Sequence, residues 1–533
     1  MVVILRQIGA GFFWARGLWL FGSTLLFMGL CLSPGDVDAS HCASGLGVSS
    51  RPLRLGSDWQ HDLLRLDARE GLPRWVAGHQ GISRREFFEL TQTQDPRLCR
   101  PERPLGFESA FMNFSYTNAT RKVSDPKNRH TVHEIFINPL KQNEGYYLRN
   151  EPQWSMGFDI VSEPESWLAF EFSPRVVNTW IGDEKPRSDF HLERAYLQIR
   201  FSDWNLRVGR QELGWGLSPT GGIFWSNSPR PADMILLTPD KPFQFPWIFK
   251  HLGQVKFSSF LAHAGQYRDY PHAKIFGTKM SFRFNRFVEL GFTQALTFGG
   301  KGSEPIKPWE IFREAFTPFK NQSTPDSPEN VADGRAGAEL RVRIPFLHNL
   351  VWSYETVIDD GRHGDLWKLY KDQVGYRSLF YWPSIDPWES TSLTVEYARF
   401  PKLIYRHHLW QTGYSLDERF IGDHFGPQTR RWAFIFRSQI GPKLQLNQRF
   451  QWLKRSNNDY AQQRDSANFL RVVPTTDRPK EVSWSWQPSI NWQVSENLEA
   501  DFDFGFERVK NYQFEADRSR SLFLTQLQLR YWF

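Results

Sequence analysis

Cysteine is scarce in this chain of 533 residues: there are three, at positions 31, 42 and 99. That is too few for a Cys-rich zinc site. Long apolar runs of the kind a bundle of membrane helices requires are also missing, and the mean hydropathy is -0.52. Charge of one sign is barely in excess, with 65 Lys and Arg against 58 Asp and Glu for a net charge of +7. Such a small surplus does not by itself imply a nucleic-acid partner. Aromatic residues, by contrast, make up 16% of the chain, which excludes disorder. Two classes survive: a large soluble β protein, or a membrane β-barrel whose apolar side chains are interleaved with polar ones.

Residues 1–39 read as a secretory signal. Arg6 and Arg16 precede the uncharged stretch Gly17 to Leu32, and Val37-Asp38-Ala39 sets small residues for cleavage after Ala39. The alternative, an uncleaved anchor, is opposed by the shortness of the run. Cys42 and Cys99 then lie in an oxidising compartment, where a single disulfide between them is expected, free thiols being the other possibility.

Residues 40–105 form a small periplasmic segment with helical character. Trp59, Leu63 and Leu66 share one helical face, and Ser83 to Glu86 is a capping-box pattern ahead of Phe87-Phe88. From 106 to 533 the period changes to two. Arg335, Glu339, Arg341 and Arg343 alternate with Ala336, Ala338, Leu340, Val342 and Ile344, and only Gly337 breaks the polar face. Alternation suits a soluble sandwich equally well. The C-terminus decides: Phe523, Leu527, Leu529, Tyr531 and terminal Phe533 share a face opposite Gln526, Gln528 and Arg530. This is similar to the closing strand of a bacterial outer-membrane protein, with Phe533 addressed to the barrel-insertion machinery and the greasy face to outer-membrane lipid.

Short periplasmic turns and long outer loops then give the strand count. Short connections fall at Glu163 to Glu165, Ser202-Asp203, Asn285-Arg286, Phe346 to His348, Gly441-Pro442 and Ser495 to Asn497. Long ones fall at 117–153, 175–190, 299–334, 358–372, 400–430, 454–482 and 509–520. Correct alternation of sides requires a hidden strand within 212–251, for which Asp233 to Thr238 is the candidate. The expectation is an all-β outer-membrane barrel of about 18 antiparallel strands, acting as a monomer.

The stretch from Arg207 to Leu237 resembles the signature of the capsule assembly protein Wzi family of outer-membrane proteins. The resemblance lies in Gly209-Arg210-Gln211, Trp215-Gly216, Gly221-Gly222, Ser226-Asn227-Ser228 and Pro231. Gly413-Tyr414 with Ile421 to Pro427, and His61 to Leu64 with Gly71-Leu72, are weaker echoes. The resemblance implies an 18-stranded barrel with a periplasmic helical piece, a lectin that binds capsular or extracellular polysaccharide and retains it on the cell surface. A channel for polysaccharide export or solute uptake is the alternative.

Sugar recognition asks for flat rings against C–H faces and planar polar groups for hydroxyls. Trp215, Phe224, Trp225, Asn227 and Arg230 cluster in the loop after the fifth strand, with Arg210 and Gln211 at the mouth below. Arg210, Gln211, Trp215, Trp225, Asn227 and Arg230 are therefore the candidate polysaccharide-binding residues. The competing reading has this Gly-rich loop folding inward as a plug, with both tryptophans in packing and Arg210 tied to a lumenal carboxylate. The inward side chains lean basic, which would attract an acidic polymer; an internally paired charge network is the other reading. His407, His408 and His424 lie near Asp417 and Asp423, yet no assembled nucleophile, base and orienter is legible, and no catalytic residue, metal or cofactor is assigned.

Overall fold

The computed structural model describes residues 51–55, 57–92, 105–123, 135–141, 149–180, 187–218, 221–303, 305–307, 309–311, 332–359, 370–406, 410, 412–464 and 470–533. The signal segment, Cys42, Cys99, His407, His408 and most of loop 299–334 lie outside the described residues.

Eighteen strands form one antiparallel sheet. In chain order they are β1 Gly106–Thr117, β2 Gln153–Glu165, β3 Leu168–Thr179, β4 Arg187–Phe201, β5 Trp204–Gln211, β6 Ala232–Pro239, β7 Gln254–His263, β8 Lys274–Arg283 and β9 Val288–Phe298. They continue as β10 Ala332–Ile344, β11 Leu350–Asp359, β12 Val374–Trp382, β13 Thr391–Phe400, β14 Thr429–Gln439, β15 Leu444–Arg455, β16 Glu481–Gln493, β17 Leu498–Lys510 and β18 Ser519–Trp532. β1 pairs with β2 and also with β18, so the sheet closes on itself and leaves no edge. The hidden strand is β6, built around Asp233 to Thr238. β3 and β4 run on to Thr179 and from Arg187, so the connection expected over 175–190 is shorter, the paired strands continuing past the turn positions read from composition.

Period-two alternation places lipid-facing side chains outside and polar ones inside. In β10, Arg335, Glu339, Arg341 and Arg343 are buried in the lumen. Three of these charges are paired: Lys279 Nζ donates to Glu339, Arg335 Nε donates to Asp359 at 3.1 Å, and Arg341 meets Asp67, whereas Arg343 donates to Ala68 O at 2.7 Å. Arg377 with Glu355, Arg431 with Glu396 and Asp423, and Arg194 with Asp159 and Glu171 extend the pattern around the wall. Much of the basic lean of the interior is thus matched by lumenal carboxylates, while Arg268 and Arg343 donate to backbone carbonyls instead.

Helix α1, Asp58–Glu70, ends where Gly71 turns left-handed and its N–H donates to Asp67 O at 2.8 Å. In α2, Arg84–Thr91, Ser83 Oγ caps the N–H of Glu86 at 3.0 Å. The Glu86 carboxylate does not complete the box; it accepts from Lys256 Nζ of β7 at 2.6 Å. The backbone N–H groups of Ala77 and Gly78 donate to Glu289 of β9, and Arg51 donates to Glu108 of β1 and Glu163 of β2. Residues 51–92 therefore lie within the lumen, at the end that bears the short turns.

Candidate functional site

The loop between β5 and β6 enters the barrel from the long-loop end. Trp215 N–H donates to Trp225 O at 3.0 Å, making a narrow hairpin, and Gln80 of the helical insert donates from Nε2 to Gly216 O at 3.0 Å and Ser218 O at 2.6 Å. The hairpin closes only because Gly222 has no side chain: a Cβ there would stand 1.5 Å from Trp215 O. Trp215 and Trp225 pack on Phe260 at centroid distances of 4.9 and 4.7 Å, with Phe224 and Tyr414 around them. Gly337, the gap in the polar face of β10, leaves room for the Phe224 ring, which a Cβ would approach to 2.9 Å. The outer half of the lumen thus holds an apolar core rather than water-facing polar groups.

Two further outer loops fasten this plug. Tyr405 OH donates to Ile223 O, and Ser226 Oγ donates to Ile421 O at 3.0 Å and to Gly422 O at 2.8 Å. Phe136 N–H donates to Glu418 O at 2.9 Å, and Arg419 Nη1 donates to Phe136 O at 3.1 Å. His424 bridges the loops, its Nδ1 3.0 Å from Ser228 Oγ and its Nε2 3.0 Å from Asn138 O. Burial, reinforced by Arg419, pushes the His424 pKa down to about 3, so the ring is neutral and donates from one nitrogen. Asp423 is held by Arg431 and Asp417 by Arg230, so both carboxylates near His424 serve ion pairs.

Between the helical insert and the wall of β14–β18 runs a cavity of about 820 Å³. It extends from Pro442 and Lys443 in the β14–β15 turn up to Asn227 and Arg230 beneath the outer loops. Its lining combines charged groups, among them Arg54, Arg175, Glu193, Arg194, Glu212 and Arg530, with a row of neutral amides on β15, β16 and β18. Asn447 donates to Asn491 at 2.8 Å, Asn491 to Asp501 at 2.7 Å, and Gln528 to Asp501 at 3.2 Å, with Gln445 donating to Asn447 at 3.0 Å. Trp59, Trp225 and Trp532 add ring surface along the same cavity. Rings beside amides and a carboxylate are the groups that grip sugar C–H faces and hydroxyls.

Of the six candidate residues, Gln211, Trp225, Asn227 and Arg230 border this cavity, although Gln211 is 1% exposed and Trp225, 3% exposed, also packs in the apolar core. Trp215 is 1% exposed and belongs to the apolar core. Arg210 turns to the outside of the wall, where Nε and Nη2 donate to Asp233 at 2.8 and 2.7 Å, so its partner is a carboxylate on the outer face rather than a lumenal one. Arg230 meets His191 Nδ1 at 2.8 Å and pairs with Asp417 at 3.3 Å. The amide row was missed because sequence reasoning followed inward charge. Its signal lay in the inward positions of β15, β16 and β18, where Gln445, Asn447, Asn491 and Gln528 replace Arg and Glu.

Known proteins share this architecture. The outer-membrane protein Wzi of Escherichia coli, involved in group 1 capsule assembly and a carbohydrate-binding β-barrel, superposes with a TM-score of 0.63. The match covers 91% of this chain and 99% of that one at 14% identity, a likeness of fold. An uncharacterized 55.8 kDa protein of the cps region of Klebsiella pneumoniae is 23% identical over 343 residues, 64% of this chain. That match spans 62% of the Klebsiella protein's length. The sequence pattern described as capsule assembly protein Wzi matches residues 122–522, well over half of the chain, and on that match the chain belongs to the capsule assembly protein Wzi family of outer-membrane proteins.

Proposed function

We propose that this protein binds capsular or extracellular polysaccharide and helps assemble or retain it at the cell surface, without chemistry on the glycan. The observation that carries the reading is the amide-and-tryptophan lining of the lumenal cavity in a chain of this family. Recognition falls to Gln445, Asn491, Asp501 and Gln528 on the wall and to Gln211, Trp225, Asn227 and Arg230 at the upper end.

The test is the partition of polysaccharide between washed cells and medium in a strain lacking the protein, complemented with wild type or with N491L/Q528L. Movement of polymer into the medium at constant total, uncorrected by N491L/Q528L, supports retention through the cavity. A fall of both fractions assigns the protein to the export path, and an unchanged partition removes the glycan reading.

A further inference from the structure

The outside of the barrel carries an ordered pattern over β13–β17 at the long-loop end. Cross-strand register sets three parallel rows there. The lowest is apolar: Val395, Phe434, Phe450, Trp486 and Phe506 are successive partners from β13 to β17. Two residues further out, Tyr397, Trp432, Trp452, Trp484 and Arg508 are partners, a row of amphipathic rings ending in a guanidinium. Two residues beyond that, Arg399, Arg430, Lys454, Val482 and Lys510 are partners.

The outermost row is unusual. Like charges on directly opposed residues of neighbouring strands, about 4.8 Å apart, destabilise a sheet, yet Arg399, Arg430 and Lys454 stand side by side. Arg399 reaches the carbonyl of Lys371 at 2.5 Å and Arg508 reaches Ser521 Oγ at 2.8 Å, neither of them a carboxylate. Among the described residues, Arg430 and Lys454 have no ion-pair partner. This contrasts with lumenal Arg335, Arg377 and Arg431, each of which is matched to a carboxylate. Immediately below the row, the wall is indented by an apolar groove of about 360 Å³ between Phe434, Phe450, Trp452, Trp484, Trp486 and Arg508.

Tails below, aromatic rings at the interface and unneutralised cations above reproduce the layering of a membrane leaflet. In an outer-membrane protein the long-loop end lies in the outer leaflet. We propose that this wall is a binding site for a phosphorylated, acylated glycolipid of that leaflet, with phosphate groups on Arg399, Arg430, Lys454 and Arg508 and one acyl chain in the groove. The site is separate from the lumenal cavity, and its failure would leave the polysaccharide reading untouched.

The experiment titrates the full, delipidated protein in non-ionic detergent with bis-phosphorylated lipid A and reads one-to-one adducts by native mass spectrometry. R399Q/R430Q/K454Q should bind at least tenfold more weakly, while R399K/R430K binds as wild type. W484A, which removes a ring that is 65% exposed and therefore spares the fold, should also weaken the adduct. Monophosphorylated lipid A should bind less tightly, and phosphatidylglycerol less tightly still. Unaltered heat-modifiable migration on gels verifies that each variant is folded. Binding by the triple glutamine variant within twofold of wild type would overturn the proposal. So would equal affinity for phosphatidylglycerol, displacement by millimolar inorganic phosphate, or displacement by soluble acidic polysaccharide.

Discussion

Asp67 joins the helical insert to the barrel wall. It is fully buried and accepts from Arg283 Nη2 at 2.7 Å and from its own chain at Leu72 N–H at 2.7 Å, and it is paired with Arg341. Removing one member of such a cluster leaves the others charged and dry, a loss of about 3–5 kcal/mol. Asp67→Ala should therefore lower the temperature at which the heat-modifiable band is lost, whereas Arg210→Ala, at a half-exposed pair on the outer wall, should barely move it. His424 gives the corresponding pH effect. Its folded pKa, about 3, lies below the ordinary histidine value of 6.5, so the unfolded or opened loop takes up a proton that the closed loop refuses. The stability from this group is complete above pH 6.5 and is lost progressively as pH falls toward 3. Amide hydrogen exchange over residues 412–428 should quicken between pH 7.5 and 5 once corrected for intrinsic rates, and His424→Gln should flatten that dependence. An unchanged slope in the variant would place the sensitivity in another group.

At the scale of elements, the hairpin of residues 212–231 depends on one close approach. Gly222→Ala would drive a Cβ into Trp215 O, so the hairpin must open and withdraw Trp215, Phe224 and Trp225 from their packing. The barrel ladders do not pass through this loop, so far-ultraviolet circular dichroism should stay at the wild-type level while tryptophan emission shifts to the red. This hairpin also explains what could be read from the sequence. Alternation exposes a strand whenever its two faces differ, so β10 and β18 were legible from residues such as Arg341 beside Leu340 and Gln528 beside Leu529. In β6 the inward Met234 and Leu236 pack against the plug, while Ile235 faces lipid. Both faces are apolar there, and only the parity of the turns revealed the strand. Inward packing of Trp215 was open to either reading because a buried ring and a sugar-stacking ring have the same sequence signature. The amide row was harder still, because Gln445, Asn491 and Gln528 come together only through cross-strand register.

On the scale of the whole molecule, the lumen is filled from two directions. Residues 51–92 occupy the short-turn half through Arg51, Asp67 and Glu86, and the outer loops occupy the other half through the Ser226, Tyr405 and His424 contacts. These two closures are in series, so removing one should not open a path for ions. Planar-bilayer recordings of wild type should show no steady conductance. Deletion of residues 51–92 should leave the bilayer equally silent but lower thermal stability, since Lys256 and Arg341 lose their carboxylates in the lumen and Arg283 keeps only Glu289. A steady ohmic current should arise only when the hairpin of residues 212–231 and residues 401–427 are also replaced by short turns, because eighteen strands then enclose an unplugged aqueous lumen. Steady current from the single deletion would mean that the outer loops do not seal the barrel, and the cavity along β14–β18 would then be a through-channel, which favours export or solute uptake over retention.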